Sequence, residues 1–97
     1  MSTLFVLSHA PHSDPNESKK IAFAKRGDSV VLMEDAVYAA GASETPLSSV
    51  IRDGLDHGVT FHVLEPDLVA RGVETVLPKV DYGGLVDLIV EHERTVH

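Results

Sequence analysis

Cysteine is absent from all 97 residues, and this excludes disulfides, thiolate metal sites and any step in which sulfur rides on a cysteine persulfide. Basic residues are scarce: eight Lys and Arg face fifteen Asp and Glu, a formal charge of −7. Such a surface repels phosphate backbones, so direct nucleic-acid binding by this chain is not expected. No apolar run approaches the ~20 residues of a membrane span, and no basic segment leads into a long apolar stretch at the amino terminus. A cytoplasmic location without membrane contact is expected. The patterns G-x-x-x-x-G-K-[ST], G-x-S-x-G and H-E-x-x-H are missing, as are repeats and low-complexity tracts, so no common nucleotide, acyl-transfer or zinc-protease chemistry is signalled.

What is present reads as a folded globule, with 43% hydrophobic and 24% charged residues. The length predicts one domain over residues 1–97, with a core small enough that oligomerisation often supplies further burial. Its organising stretch is Gly27 to Ala40, where a turn glycine launches the apolar run Val30-Val31-Leu32-Met33 and two carboxylates, Glu34 and Asp35, end it. An apolar run without alternation implies burial on both faces, the mark of a parallel sheet covered by helices. Glu34 and Asp35 then fall at a strand's carboxyl end, where open α/β sheets present ligands or partners.

Around this strand the chain alternates. Thr3–Leu7 reads as the first strand, followed by the loop Ser8 to Ser13, a cap at Asp14 with Pro15 and Glu17, and a helix to about Arg26 that ends at Gly27. Ile21, Ala22 and Ala24 are expected to face the sheet. Ala36 to Ala40 forms a short helical turn closed by Gly41. Thr45-Pro46 opens a helix carrying Leu47, Val50, Ile51 and Leu55, and His57-Gly58 ends it. Val59 to Leu64 is a strand with Thr60 and His62 on its less buried face. Pro66 opens a helix closed by Gly72, a brief strand follows near Val76 to Val80, and Asp81 caps the last helix. Tyr82, Leu85, Val86 and Ile89 are expected as its core stripe, flanked by Leu88 and Val90. That apolar arc exceeds the ~100° of a helix covering one sheet face, so part of it is expected to meet another subunit. The order predicts a three-layer α/β/α sandwich on a mainly parallel sheet of four to five strands.

Two chemical readings come from the residues. His9 and His12, with an acid from Glu34, Asp35 or Asp67, offer a divalent-metal site, against which stand solvated loop histidines. Asp67 and Arg71, four apart on a helix, offer an ion pair. The first loop lacks the turn glycine of flavin-phosphate loops, and Ser8-His9 stand where phosphoryl-receiver domains need acids. No cofactor is expected.

Gly27-Asp28-Ser29-Val30-Val31-Leu32-Met33-Glu34-Asp35-Ala36-Val37-Tyr38-Ala39-Ala40, then Asp67-Leu68-Val69-Ala70-Arg71-Gly72, then Asp81-Tyr82 through Val86, resemble in order the DsrH/TusB family of sulfur-relay subunits. The resemblance implies the same sandwich and a place beside two related DsrE/DsrF-like (TusD/TusC-like) subunits. Such complexes relay persulfide sulfur toward 2-thiolation of the tRNA wobble uridine or in dissimilatory sulfur oxidation. Some members carry a cysteine in the first helix, where this chain has Lys19, Lys20 and Ile21. The resemblance therefore implies a non-catalytic structural subunit, with Glu34, Asp35, Tyr38, Asp67, Arg71 and Tyr82 as candidate interface residues. A small metal- or ligand-binding protein using the His9/His12 loop is the alternative. The chain departs from the family in lacking the tryptophan that often closes these chains, and in a short segment between Gly72 and Asp81.

Overall fold

The computed structural model describes residues 2–11 and 16–97. Five parallel strands, β1 (Thr3–Leu7), β2 (Ser29–Leu32), β3 (Thr60–Leu64), β4 (Lys79–Val80) and β5 (Arg94–Val96), lie in the order β4-β3-β2-β1-β5. Between them run α1 (Asn16–Ala22), a 3-10 helix (Glu34–Ala40), α2 (Ser48–Asp56), α3 (Glu65–Arg71) and α4 (Tyr82–Glu91). The steps from β1 to β4 all move one way across the sheet, so right-handed crossovers place α1, α2 and α3 on one face. The return from β4 to β5 crosses the whole sheet in the opposite sense and carries α4 over the other face.

The central strand is as the sequence predicts: Val30, Val31 and Leu32 of β2 are wholly buried. Register sets Phe5, Val30 and Phe61 side by side, within a core completed by Ile21 of α1, Val37 of the 3-10 helix, Ile51 of α2 and Leu68 of α3. On the opposite face Leu4, Val6 and Val31 lie under Leu88 of α4, with Met33, Val80 and Leu85 half-buried at the margin. The punctuation also holds. Gly72 closes α3 in the left-handed region at φ 64°, with Pro66 in its first turn, and Asp81 caps α4 by accepting from the Gly84 N–H at 2.7 Å.

Several expectations are corrected. The first helix ends at Ala22, not near Arg26, and Gly27 serves instead at φ +93° in the turn entering β2. Ile21 and Ala24 pack toward the core, whereas Ala22 is exposed. The expected strand near Val76 to Val80 shrinks to Lys79–Val80. A fifth strand forms from Arg94–Val96, beyond the helix on which the predicted order stopped. On α4 it is Leu85 and Leu88 that face the sheet, while Tyr82, Val86, Ile89 and Val90 are exposed at 59%, 56%, 45% and 77%. The expected cap at Asp14 and Pro15 lies outside the described residues.

At the amino ends of the strands a single carboxylate ties three segments together. Asp28 is 3% exposed, and its two oxygens accept from the backbone N–H groups of Thr3 and Lys25, each at 3.0 Å. Its carbonyl accepts from the Thr60 N–H at 3.1 Å. The start of β1, the turn after α1 and the start of β3 are thus held on one residue.

Candidate interface at the carboxyl ends of the strands

Beyond Leu32 the chain must turn at once from strand to 3-10 helix. Met33 donates its N–H to the Leu7 carbonyl at 2.9 Å, and Glu34 then adopts φ 51°, a left-handed conformation that side-chain-bearing residues avoid. The strain is held by α3: the Glu34 N–H donates to Asp67 Oδ2 at 2.6 Å. Asp67 lies in the first turn of α3, where the helix dipole favours a carboxylate.

Arg71 completes the arrangement. Its Nε donates to Asp35 Oδ1 at 2.9 Å, while Nη1 reaches Asp67 Oδ1 at 3.5 Å and the Asp67 carbonyl at 3.4 Å. The pair expected within one helix is therefore the longer contact. The shorter one joins α3 to the 3-10 helix across 36 residues of sequence, which no local spacing signals. The Arg71 side chain is 24% exposed and that of Asp67 16%, against 57% for Asp35. The hydrogen bond that Arg71 donates to Asp35 raises its pKa most, burial opposes that rise, and the charges of Asp35 and Asp67 add to it, so the guanidinium is a permanent cation pinned between two acids.

Tyr38, one turn on from Asp35, is 45% exposed and within electrostatic reach of Arg71. It borders an open groove of about 530 Å³ lined also by Gly41, Ser43, Thr45, Gly72 and Glu74. Glu34, Asp35, Tyr38, Asp67 and Arg71 thus gather at one edge. Tyr82 does not join them, because it sits on the first turn of α4, the helix of the other face. As for the metal reading, His12 lies outside the described residues, and among the described residues no three His, Asp or Glu side chains converge on a metal position.

Asp67→Ala is expected to cost about 1 kcal/mol, because the Glu34 N–H loses its charged acceptor. Adding Glu34→Gly should recover part of it, since glycine adopts this φ without a clamp. Urea midpoints of the single and double variants check this; an unmoved midpoint for Asp67→Ala rejects the clamp.

The opposite face holds a pair of histidines. His92 Nδ1 lies 2.7 Å from the Leu88 carbonyl and must carry the proton, which leaves Nε2, 2.9 Å from Ser29 Oγ, to accept from the hydroxyl when the ring is neutral. On the neighbouring strand, His62 Nδ1 is buried without a partner. Burial first, then the charge of His92, lowers the His62 pKa, with Glu91 opposing. The unfolded chain therefore binds this proton before the folded one does. Stability is complete above the ordinary histidine pKa of about 6.5 and falls as pH drops below it. Thermal midpoints between pH 7.5 and 5.5 should decline less steeply in His62→Gln than in the parent; equal slopes would reject His62 as a source of the decline.

Comparison with known proteins follows the same lines. The family model described as DsrH like protein matches residues 9–95. Protein TusB of Pectobacterium carotovorum subsp. carotovorum (strain PC1) is 37% identical over 71 residues, which cover 69% of this chain and 70% of that protein. Among solved structures, the solution NMR structure of protein Tm0979 from Thermotoga maritima aligns with a TM-score of 0.63 at 25% identity over 91% of both chains. The crystal structure of the ychN protein from E. coli aligns with a TM-score of 0.80 over 99% of this chain and 97% of that one, at 14% identity, a likeness of fold alone. The family match takes in the acid-ended central strand, the Asp67–Gly72 turn and the Asp81-capped helix. The chain belongs to the DsrH/TusB family.

Proposed function

We propose that this chain is a non-catalytic, interaction-providing subunit of a sulfur-relay complex, assembled with related DsrE/DsrF-like (TusD/TusC-like) subunits that carry the persulfide. The observation that carries this reading is a family match over residues 9–95 in a chain with no cysteine. A relay needs a thiol at each hand-over, and this subunit has none to offer. The complex serves either 2-thiolation of the tRNA wobble uridine or sulfur oxidation. Loss of 2-thiouridine from tRNA on deletion of the gene, or its retention, separates the two. Among the described residues no helix is long and apolar enough to cross a membrane, in keeping with a cytoplasmic assembly.

Its contact surface in this reading includes Glu34, Asp35, Tyr38, Asp67 and Arg71, with Tyr82 on a separate patch. Arg71, clamped between Asp35 and Asp67, presents a rigid mixed-charge edge to a partner. Co-expressed with cysteine-bearing relatives from the same genome, the chain should co-elute with them and gain no sulfur mass from a persulfide donor. Arg71→Ala should weaken that association about tenfold or more while moving the thermal midpoint of the isolated chain by only a few degrees. Failure to co-elute, or a stoichiometric sulfur adduct, would sink the proposal.

A further inference from the structure

The edge that gathers Asp35, Tyr38 and Arg71 opens into a trough. One wall is the segment 41–45 between the 3-10 helix and α2, and the other is the segment 72–77 between α3 and β4. The groove of about 530 Å³ beside Tyr38 runs on into hollows of about 340 and 260 Å³, and Gly41 and Ala42 line all three. The walls meet where the Val73 side chain reaches within 3.5 Å of the position a Cβ on Gly41 would take.

Its lining is acidic at one end and apolar at the other. Glu44 and Glu74 stand on opposite walls beside the half-exposed ring of Tyr38. Toward α2 come Val76, which is fully exposed, and the half-exposed Leu55. Glu44 pairs with Arg52 at 3.0 Å, but both side chains are largely in water, so the pair contributes little and exchanges readily. Glu74 forms no ion pair among the described residues. Glu34, Asp35 and Asp67 add charge at the same edge, and its arginines, Arg52 and Arg71, are both committed to carboxylates. In the next hollow, toward α3, Glu65 and Lys79 offset each other.

We infer that the trough seats an extended, basic and apolar segment of a partner chain. One arginine or lysine side chain of that segment lies between Glu44 and Glu74 against the Tyr38 ring, and an apolar side chain two residues along rests on Val76 and Leu55. Charge selects this occupant. The chain carries −7, a field that draws a cationic segment from a distance and repels phosphate backbones. A second copy is disfavoured, because the exposed apolar residues it offers on α4 stand beside Asp87 and Glu91. A guanidinium stacks on an aromatic face while its N–H groups pair with carboxylates, and Tyr38, Glu44 and Glu74 supply both. Shape selects it too, since the trough is open along its length whereas small-molecule sites enclose most of their ligand. In an extended chain every second side chain falls on the same side, ~6.6–7 Å apart, so a cation and an apolar residue can be seated together. This deepens the reading of the edge as a partner surface and rests on that part of the proposed function alone.

The test is a titration of the isolated chain, followed by NMR, with a short synthetic peptide that alternates arginine and leucine. Amide shifts should change most at Gly41, Ala42, Glu74, Thr75 and Val76. Glu74→Lys, at an exposed loop position, should keep its thermal midpoint and weaken peptide binding about tenfold or more. Asp87→Lys, the same change of charge on the other face, should weaken it less than about threefold, because only the screened long-range field changes. Val76→Ser, at a fully exposed position, should weaken it about fivefold through lost apolar contact. A peptide with serine in place of leucine should bind about tenfold more weakly, and added salt should weaken both. Equal losses from Glu74→Lys and Asp87→Lys, shifts scattered over all the acids, spermidine or the serine peptide binding as well as the leucine peptide, or no binding at millimolar peptide would each overturn the inference. Co-elution with the cysteine-bearing relatives is read separately. Co-elution without peptide binding leaves the relay subunit standing and removes the trough, and peptide binding without co-elution does the reverse.

Discussion

Asp28→Ala is expected to be among the most destabilising single substitutions in this protein, although it removes only one small polar side chain. The carboxylate is buried, and both oxygens are engaged by main-chain N–H groups, of Thr3 and Lys25, at 3.0 Å. Truncation strands two donors at the amino edge of the sheet, each worth about 1–3 kcal/mol when left unsatisfied. A total near 3 kcal/mol is a large share of the stability of a domain this size and should lower the thermal midpoint by roughly 15 °C. Asp28→Asn keeps the shape and one acceptor oxygen and should fall between the two. The measurement is reversible thermal unfolding by circular dichroism. A loss under about 3 °C for the alanine variant would mean that water satisfies both donors and that Asp28 ties nothing.

The second large effect is expected at Gly54, where α2 meets β3. A Cβ placed there lies 2.8 Å from both Cε2 and Cζ of Phe61, and that ring is 2% exposed in the middle of the larger core. At that distance Gly54→Ala must displace the helix or the ring. Overpacking of this kind costs about 1–3 kcal/mol, against the ~1 kcal/mol by which alanine favours a helix. A net loss near 1 kcal/mol follows. In the Phe61→Leu background, where the offending ring atoms are gone, the same substitution should be neutral or stabilising, a coupling of about 2 kcal/mol in a double-mutant cycle. Additive effects would show that the contact with Phe61 is not what keeps Gly54 small.

The elements most legible in the sequence are those with local causes. β1 and β2 follow from uninterrupted apolar runs, Gly72 and Asp81 stand where chain reversals and caps demand them, and Thr60 and His62 share a face because strands alternate. The order of elements points to the sandwich and the unalternating apolar run to the central, acid-ended strand, and the family motifs imply the same architecture. Where reading failed, the deciding partner was distant in sequence. Asp35 was placed correctly at the strand end, but its bond to Arg71 spans 36 residues. Asp28 has no such legibility, because a carboxylate that binds one backbone N–H 25 residues away and another three away looks in sequence like any turn aspartate; its place between a turn glycine and an apolar run is the available signal. The choice between the two apolar sides of α4 was equally invisible. Periodicity shows that Leu85 and Leu88 form one side and Tyr82 and Val86 another, and only the geometry of the crossover decides which meets the sheet. β5 was missed because Arg94 and Thr95 are polar and exposed, leaving Val96 alone to pack on the core.

The pairing of β5 with β1 has a consequence in time. Ser2 and Glu93 exchange hydrogen bonds across 91 residues, whereas β1, β2 and β3 join through successive short crossovers. On the ribosome, β1 through β3 can therefore pair while the rest of the chain is still being made, but the outer edge of β1 stays open until the final strand emerges. Closing so long a loop late in folding is slow compared with pairing neighbours. During synthesis that open edge is the most vulnerable part of the nascent protein, exposed to pairing with another chain before its own last strand arrives.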